Sequence, residues 1–203
     1  IWAADHNADV VNMSLQYGFS PISFFVSAVE YAKQAGTVCV AASGNFAQPN
    51  PSVPANIPNV IGVSAINGQG DRPVWSNQNA DLCAPGVGLW SITADPQYMA
   101  EYSGTSMASP HGAGLVAWIR YLQPNSTFVQ INNLIMNNLD PMGGQSYSPE
   151  FGYGRLNIYR TIMNSLPCYA DINRDGKLNL ADFGEFQNKF AAQYYDANCN
   201  ADL

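Results

Sequence analysis

The chain has 203 residues, 47% of them hydrophobic, and its 15 Asp and Glu outweigh 8 Lys and Arg to leave a net charge of −7. That length suits one sizeable α/β core with a small appendage, and no apolar run reaches the roughly 18 residues of a membrane helix, so the composition reads as a soluble globular protein. The acidic balance and the lack of any basic stretch exclude a nucleic-acid backbone or an anionic membrane as an electrostatic partner.

Ile1 opens with neither an initiator Met nor a charged-then-apolar leader, and Trp2-Ala3-Ala4 reads as the middle of a helix, so the expectation is a sequence entered part-way. His6, in Asp5-His6-Asn7-Ala8, reads as a surface residue. From there short apolar runs alternate with helical patterns, which predicts a mostly parallel sheet covered on both faces. Strands are expected over Asp9 to Leu15, Thr37 to Ala42 (with Cys39 in the core) and Val60 to Ala65. Between the first two, Ser20 as N-cap and Pro21 at the first helical position open a helix with Ile22, Phe25, Val26 and Val29 on one face, closed by Gly36. Residues 46–58, with four prolines, and 67–80, rich in Gly and Asn, read as loops. A long helix is expected from Ser106 to about Leu122. After it, Asn125 or Ser126 caps a helix carrying Phe128, Ile131, Leu134, Ile135 and Leu139 at helical spacing.

Around Pro167 the texture changes to a segment dense in Asp, Asn and Phe, which divides the chain into domains 1–166 and 167–203. Cys168 and Cys199 bracket that segment. A bridge between them would close a loop of about 30 residues, worth roughly 3–4 kcal/mol on the chain-entropy model, and would imply an oxidising compartment; the residues leave bridged and free forms open.

Gly104-Thr105-Ser106-Met107-Ala108-Ser109-Pro110-His111-Gly112 is the most informative stretch. A hydroxyl at a helix N-terminus sits where unpaired backbone N–H groups point outward and the dipole favours developing negative charge. Pro110 falls in the first turns, where a missing N–H is tolerated. The nine residues resemble the active-serine signature of the subtilisin-like serine proteases, the subtilases. The resemblance implies Ser106 as nucleophile and a buried structural role, not that of base, for His111. Ala41-Ala42-Ser43-Gly44-Asn45 resembles the family's segment whose Asn side chain donates to the oxyanion, the role implied for Asn45. An amide NH₂ suits it, being a donor with no proton to lose.

Val10 to Leu15 resembles the family strand that pairs with extended substrate. Ser14, Leu15 and Gln16 would then form one wall of the primary specificity pocket and Ala42, Ser43 and Gly44 the facing one, with recognition by strand addition. Gln16 stands where the family has glycine, which implies a narrower or more polar entrance. Pro58 to Ala65, Cys83 to Gly86 and Gly152 to Asn157 resemble further phrases of the family in the same order, so the resemblance covers roughly residues 1–165. It implies a doubly wound α/β fold, of which this chain has the C-terminal part, and endopeptidase activity on polypeptides through an acyl-enzyme.

Such a hydrolase also needs a histidine to take the hydroxyl proton and a carboxylate to hold that imidazole. The family's motifs for both lie before the substrate strand, and the expectation is that they precede Ile1, leaving these residues alone inactive and poorly stable with a bared sheet edge. The alternative is a non-catalytic, subtilase-like surface-attachment or binding protein.

In the tail, Asp171, Asn173, Asp175, Lys177 (through its carbonyl), Asn179 and Asp182 occupy positions 1, 3, 5, 7, 9 and 12 of a loop with Gly176 at position 6, the pattern of a calcium site. Asp at position 12 and the lack of an entering-helix pattern make it resemble a dockerin type I repeat more than an EF-hand. A second loop begins near Asn198 but carries Leu203 where glycine belongs. Phe183, Phe186 and Phe190 read as the core stripe of a following helix. The resemblance implies calcium as the cofactor, a cohesin-like or cell-surface partner, and a secreted protein.

Overall fold

The second strand is buried on both faces, and that explains the architecture. Val38 and Val40 join one buried cluster while Cys39 and Ala41 join another, because successive side chains of a strand point to opposite faces. The computed structural model describes residues 1–18, 20, 23–95, 97–166 and 180–191, without the side chains of 186 and 189–191. Its elements are α1 (Trp2–Asp5), β1 (Val10–Met13), α2 (Ser23–Gln34), β2 (Val38–Ala42), β3 (Val60–Ile66), β4 (Leu82–Pro85), β5 (Leu89–Ile92), β6 (Met99–Tyr102), α3 (Thr105–Leu122), α4 (Phe128–Met136), α5 (Ile158–Ser165) and α6 (Leu180–Ala191). The contacts divide the chain into two compact units, Ile1–Ile162 and Met163–Leu203.

In the first unit β1-β2-β3-β4 form a sheet in that order with every pairing parallel, and β5 and β6 form a separate antiparallel pair. On one face Val38, Val40, Ile61, Val63 and Leu82 pack with Leu115, Val116 and Ile119 of α3 and with Ile131 and Ile135 of α4. On the other, Cys39, Ala41 and Val60 pack with Ala4 of α1, Val29 and Ala32 of α2, and Val53, Ala55 and Ile57 of the loop before β3. Gly112 lets α3 approach closely, since a methyl there would stand 3.2 Å from a Val40 methyl. Among the described residues no helix is long and apolar enough to cross a membrane.

Several boundaries differ from the sequence expectation. β1 ends at Met13 because Ser14 turns toward α3, and β2 starts at Val38 because Thr37 is tied to the segment before β1, its hydroxyl donating to the Ala8 carbonyl at 2.7 Å. On α2 the inward stripe is Phe25, Val29 and Ala32, which leaves Val26 exposed; Pro21 and Ile22 lie outside the described residues. The cap of α4 is Thr127, not Asn125 or Ser126: Thr127 and Gln130 form a reciprocal capping box, while Ser126 is drawn inward by its carbonyl's bond to Arg120. Strand β4 and the β5–β6 pair were not foreseen. β4 is four residues long and ends on a proline, and β5 and β6 carry exposed Trp90, Ile92 and Met99, so neither shows an inward apolar periodicity.

Arg120, on the last turn of α3, is buried and donates to the carbonyls of Gly36, Pro124 and Ser126, with its Nε 3.5 Å from an Asp9 carboxylate oxygen. It ties three chain reversals at one end of the sheet. Arg120→Met keeps the apolar stem but orphans the buried Ser126 carbonyl and frees two turns, and is expected to lower unfolding free energy by about 2 kcal/mol in a denaturant titration.

Asp140 is held by Arg155 at 2.7 Å, Asn157 at 2.9 Å and Arg160 at 3.1 Å, and the Arg155 bond, then the Asn157 bond, keep its carboxyl below the usual range. A depressed folded-state value means stabilisation that is present above the unfolded carboxylate pKa and lost as pH falls through the folded one. Both arginines are about half exposed, so the effect is modest. Asp140→Asn is expected to cost about 1 kcal/mol at pH 7, a gap that closes below about pH 4, as thermal unfolding across that range would report.

The second unit contains α6. Asp182, in its first turn, is 4% exposed, whereas Phe183 is 55% exposed. The expected stripe therefore fails at its first member: residues one apart do not share a helix face, and the carboxylate takes the inward one. Asp171, Asn173, Asp175, Lys177, Asn179, Cys168 and Cys199 lie outside the described residues.

Candidate active site

Three segments converge on the start of α3. The helix begins at Thr105 because its N–H finds an acceptor off the helix, the Asn45 carboxamide oxygen at 2.9 Å, and the Thr105 hydroxyl donates to the same oxygen at 2.8 Å. That hydroxyl in turn accepts from the Gly44 N–H at 3.1 Å. With its oxygen so occupied, Asn45 is left with its NH₂ to offer. A methyl built on Gly104 would stand 3.6 Å from Asn45 Nδ2 and 3.7 Å from the Ser106 backbone nitrogen, so these two donors border one small space beside the serine. The Ser106 N–H belongs to the first turn, whose donors the helix leaves unpaired.

Pro110 is the sixth residue of α3 rather than part of its first turn, and this has a local consequence. The residue four earlier is Ser106, whose carbonyl would accept the N–H that proline lacks. That freed carbonyl instead accepts from the Ser14 hydroxyl at 2.7 Å. Ser14 is held by Asn12, Nδ2 to Oγ 2.9 Å, and Asn12 accepts from Ser109 at 2.7 Å, so the exit of β1 is laced to α3. The Ser106 hydroxyl itself donates to the Ser14 carbonyl at 3.2 Å.

Ser14, Leu15 and Gln16 follow β1, Ala42 ends β2, and Ser43 and Gly44 follow it; of these six, Ser14 touches Ser106, Gln16 touches Asn45 and Gly44 touches Thr105. Leu15 is exposed, Gln16 half-buried, and Ala42, Ser43 and Gly44 buried. Behind Gly44 lie Asn77 and Ser52, both buried: Asn77 Nδ2 donates to the Ser43 carbonyl at 2.9 Å and its Oδ1 accepts from Phe46 and Gln48. Asn77, Ser52 and Thr105 were not singled out from the sequence. Thr105 sits inside the serine motif and could have been; Asn77 lies among turn residues with nothing to mark it.

Neither histidine touches the nucleophile. His111 Nδ1 donates to the Met107 carbonyl at 3.0 Å on its own helix and the ring is half-buried rather than enclosed, because it lines a cleft with Pro85, Asp140 and Leu156. His6 is exposed and donates to the Trp2 carbonyl at 2.8 Å. Cys83, buried within strand β4 of the same sheet, has its thiol pKa pushed up to about 12 by burial. Among the described side chains the nucleophilic candidate at the site is therefore Ser106.

The first unit is thus a parallel α/β frame that sets a serine hydroxyl at a helix N-terminus beside an amide donor. The subtilase family model matches residues 1–154, and the chain belongs to that family. An alkaline elastase from Bacillus sp. (strain YaB) is 37% identical over 159 residues, covering 77% of this chain and 40% of its own length. Subtilisin E from Bacillus subtilis (strain 168) is 34% identical over 163 residues and subtilisin BL from Lederbergia lenta 35% over 158, each covering 77% of this chain and respectively 42% and 57% of the relative. The chain thus spans about half the length of these relatives. Among solved structures, the prenylagaramide maturation protease PagA matches with a TM-score of 0.73 at 22% identity, over 81% of this chain and 64% of that one, a likeness of fold.

Proposed function

We propose that this chain carries the nucleophile and oxyanion site of a serine endopeptidase acting on polypeptides, with the imidazole base and its carboxylate supplied from outside these 203 residues. The observation that carries the reading is the Asn45–Thr105–Ser106 arrangement: an amide donor locked by its own oxygen, a first-turn N–H, and a hydroxyl beside them. Ser106 Oγ attacks the peptide carbonyl as the base takes its proton, Asn45 Nδ2 and the Ser106 N–H hold the oxyanion, the C–N bond breaks as the base returns that proton to the departing amine, and water then hydrolyses the acyl-enzyme ester to free the acid and Ser106. In this chain the hydroxyl's hydrogen rests on the Ser14 carbonyl, a contact the base must replace. A fluorophosphonate probe applied to the full-length protein should label Ser106, and Ser106→Ala should remove the label. No labelling of the folded protein would point to the non-catalytic attachment reading instead.

The tail completes the proposal as a calcium-binding, dockerin-like domain (167–203) attaching an exported enzyme to a cohesin-like or cell-surface partner. Asp171, Asn173, Asp175, Asn179 and Asp182 would hold the ion with the Lys177 carbonyl. The burial of Asp182 in the first turn of α6 supports this, since a hard cation there would join loop to helix. Calorimetric titration of the full-length protein with calcium tests it, and Asp175→Ala should abolish the binding heat.

A further inference from the structure

Resting on the peptidase reading, we propose that Gln16 determines specificity at this site: its carboxamide is latched across the primary pocket, so that the site selects peptides whose residue before the scissile bond is small.

The gap it spans arises from strand pairing. β1 and β2 run in register as far as Met13 opposite Ala41. Beyond that point the two segments part. The β2 segment stays with β3, Ser43 N–H donating to the Val63 carbonyl at 2.9 Å, whereas the β1 segment turns to the loop before β3, Tyr17 N–H donating to the Val53 carbonyl at 2.8 Å. Gln16 lies on one side of the opening and Gly44-Asn45 on the other. The Gln16 side chain crosses it, its Oε1 accepting the Asn45 backbone N–H at 2.8 Å. A methyl built on Gly44 would meet that oxygen at 2.8 Å, along with Asn77 Nδ2 at 2.5 Å and Ser52 Oγ at 2.6 Å. The space beside Gly44 is therefore already taken by polar atoms, one of them on a side chain that can move.

A glycine, alanine or serine side chain needs none of that space. A phenylalanine or leucine side chain does, and must first displace the Gln16 carboxamide from Asn45, forfeiting a neutral hydrogen bond and the ordering that goes with it. Such a bond is worth a factor of about 2 to 10 in an equilibrium, and the lost packing room adds to the discrimination.

The test uses the full-length protein and two peptide substrates that differ only in alanine or phenylalanine before the scissile bond. The wild type should favour alanine by about tenfold or more in kcat/KM. Gln16→Gly should raise the phenylalanine-to-alanine ratio of kcat/KM about tenfold. Gln16→Met, which keeps the length without the acceptor, should give an intermediate ratio. Because the readout is a ratio of two substrates on one protein, partial loss of folding in a variant does not alter it. An unchanged ratio in both variants overturns the proposal. Failure of the peptidase reading looks different: Ser106 of the wild type then takes no fluorophosphonate and neither peptide is cut.

Discussion

Asn45→Ala in the full-length protein is expected to lower kcat by about 10² to 10³ with KM within a few-fold of the wild type, the range known from subtilisin itself for the loss of such a donor. The reason lies in where the amide points. Both hydrogen bonds to the Asn45 oxygen come from Thr105, so the carboxamide cannot rotate without breaking two contacts of 2.9 and 2.8 Å, and its NH₂ stays on the side of the Ser106 nitrogen. A donor held in that way costs no reorganisation when charge develops on the carbonyl oxygen. It contributes little to the neutral ground state, which is why the loss should appear in kcat and not in KM. A variant with unchanged kcat would remove Asn45 from the oxyanion site and leave only the Ser106 N–H there.

Much of this was legible beforehand, and for identifiable reasons. β2 and β3 are buried on both faces, so they read as unbroken apolar runs, and α3 carries small and apolar residues at helical spacing behind a glycine. The serine motif and the Asn45 segment stood out by their resemblance to family phrases, and the fold brings Asn45 against Thr105 at the start of α3. The failures share a different cause. Val26 has the hydrophobicity of a core residue and the spacing of the stripe, yet α2 is rolled so that Ala32 takes the inward position. Ser126 has a good capping side chain, but Arg120 reaches in from α3 and claims its carbonyl, so Thr127 starts α4. The Ser14–Ser106 contact depends on a carbonyl freed by a proline four residues later and taken by a segment 92 residues earlier. In each case the deciding partner is distant in sequence, where periodicity and propensity carry no information.

Gly44→Ala should be among the most damaging single changes to the fold, and damaging to the site as well. Gly44 has φ +108°, a conformation side chains rarely adopt, and a methyl there meets three polar atoms at 2.5 to 2.8 Å. Backbone strain of this kind costs on the order of 1–3 kcal/mol, and overpacking a closed space about as much again. Gln16 can yield by swinging outward, but Asn77 cannot. Its two ends bond Ser43, Ser52, Phe46 and Gln48, so pushing Nδ2 aside disturbs the whole turn that presents Asn45. A loss of about 3 kcal/mol, or roughly 6–12 °C in Tm for a chain of this size, is expected, together with slower fluorophosphonate labelling of the fraction that remains folded. Gly114→Ala supplies the control: at this exposed position of α3 a methyl meets nothing within 4 Å, so the change should leave labelling intact and raise stability by up to about 1 kcal/mol. If the two variants melted together, the packing around Gly44 would be looser than these distances allow, and the room denied to a large substrate side chain by Gln16 would have to be reconsidered with it.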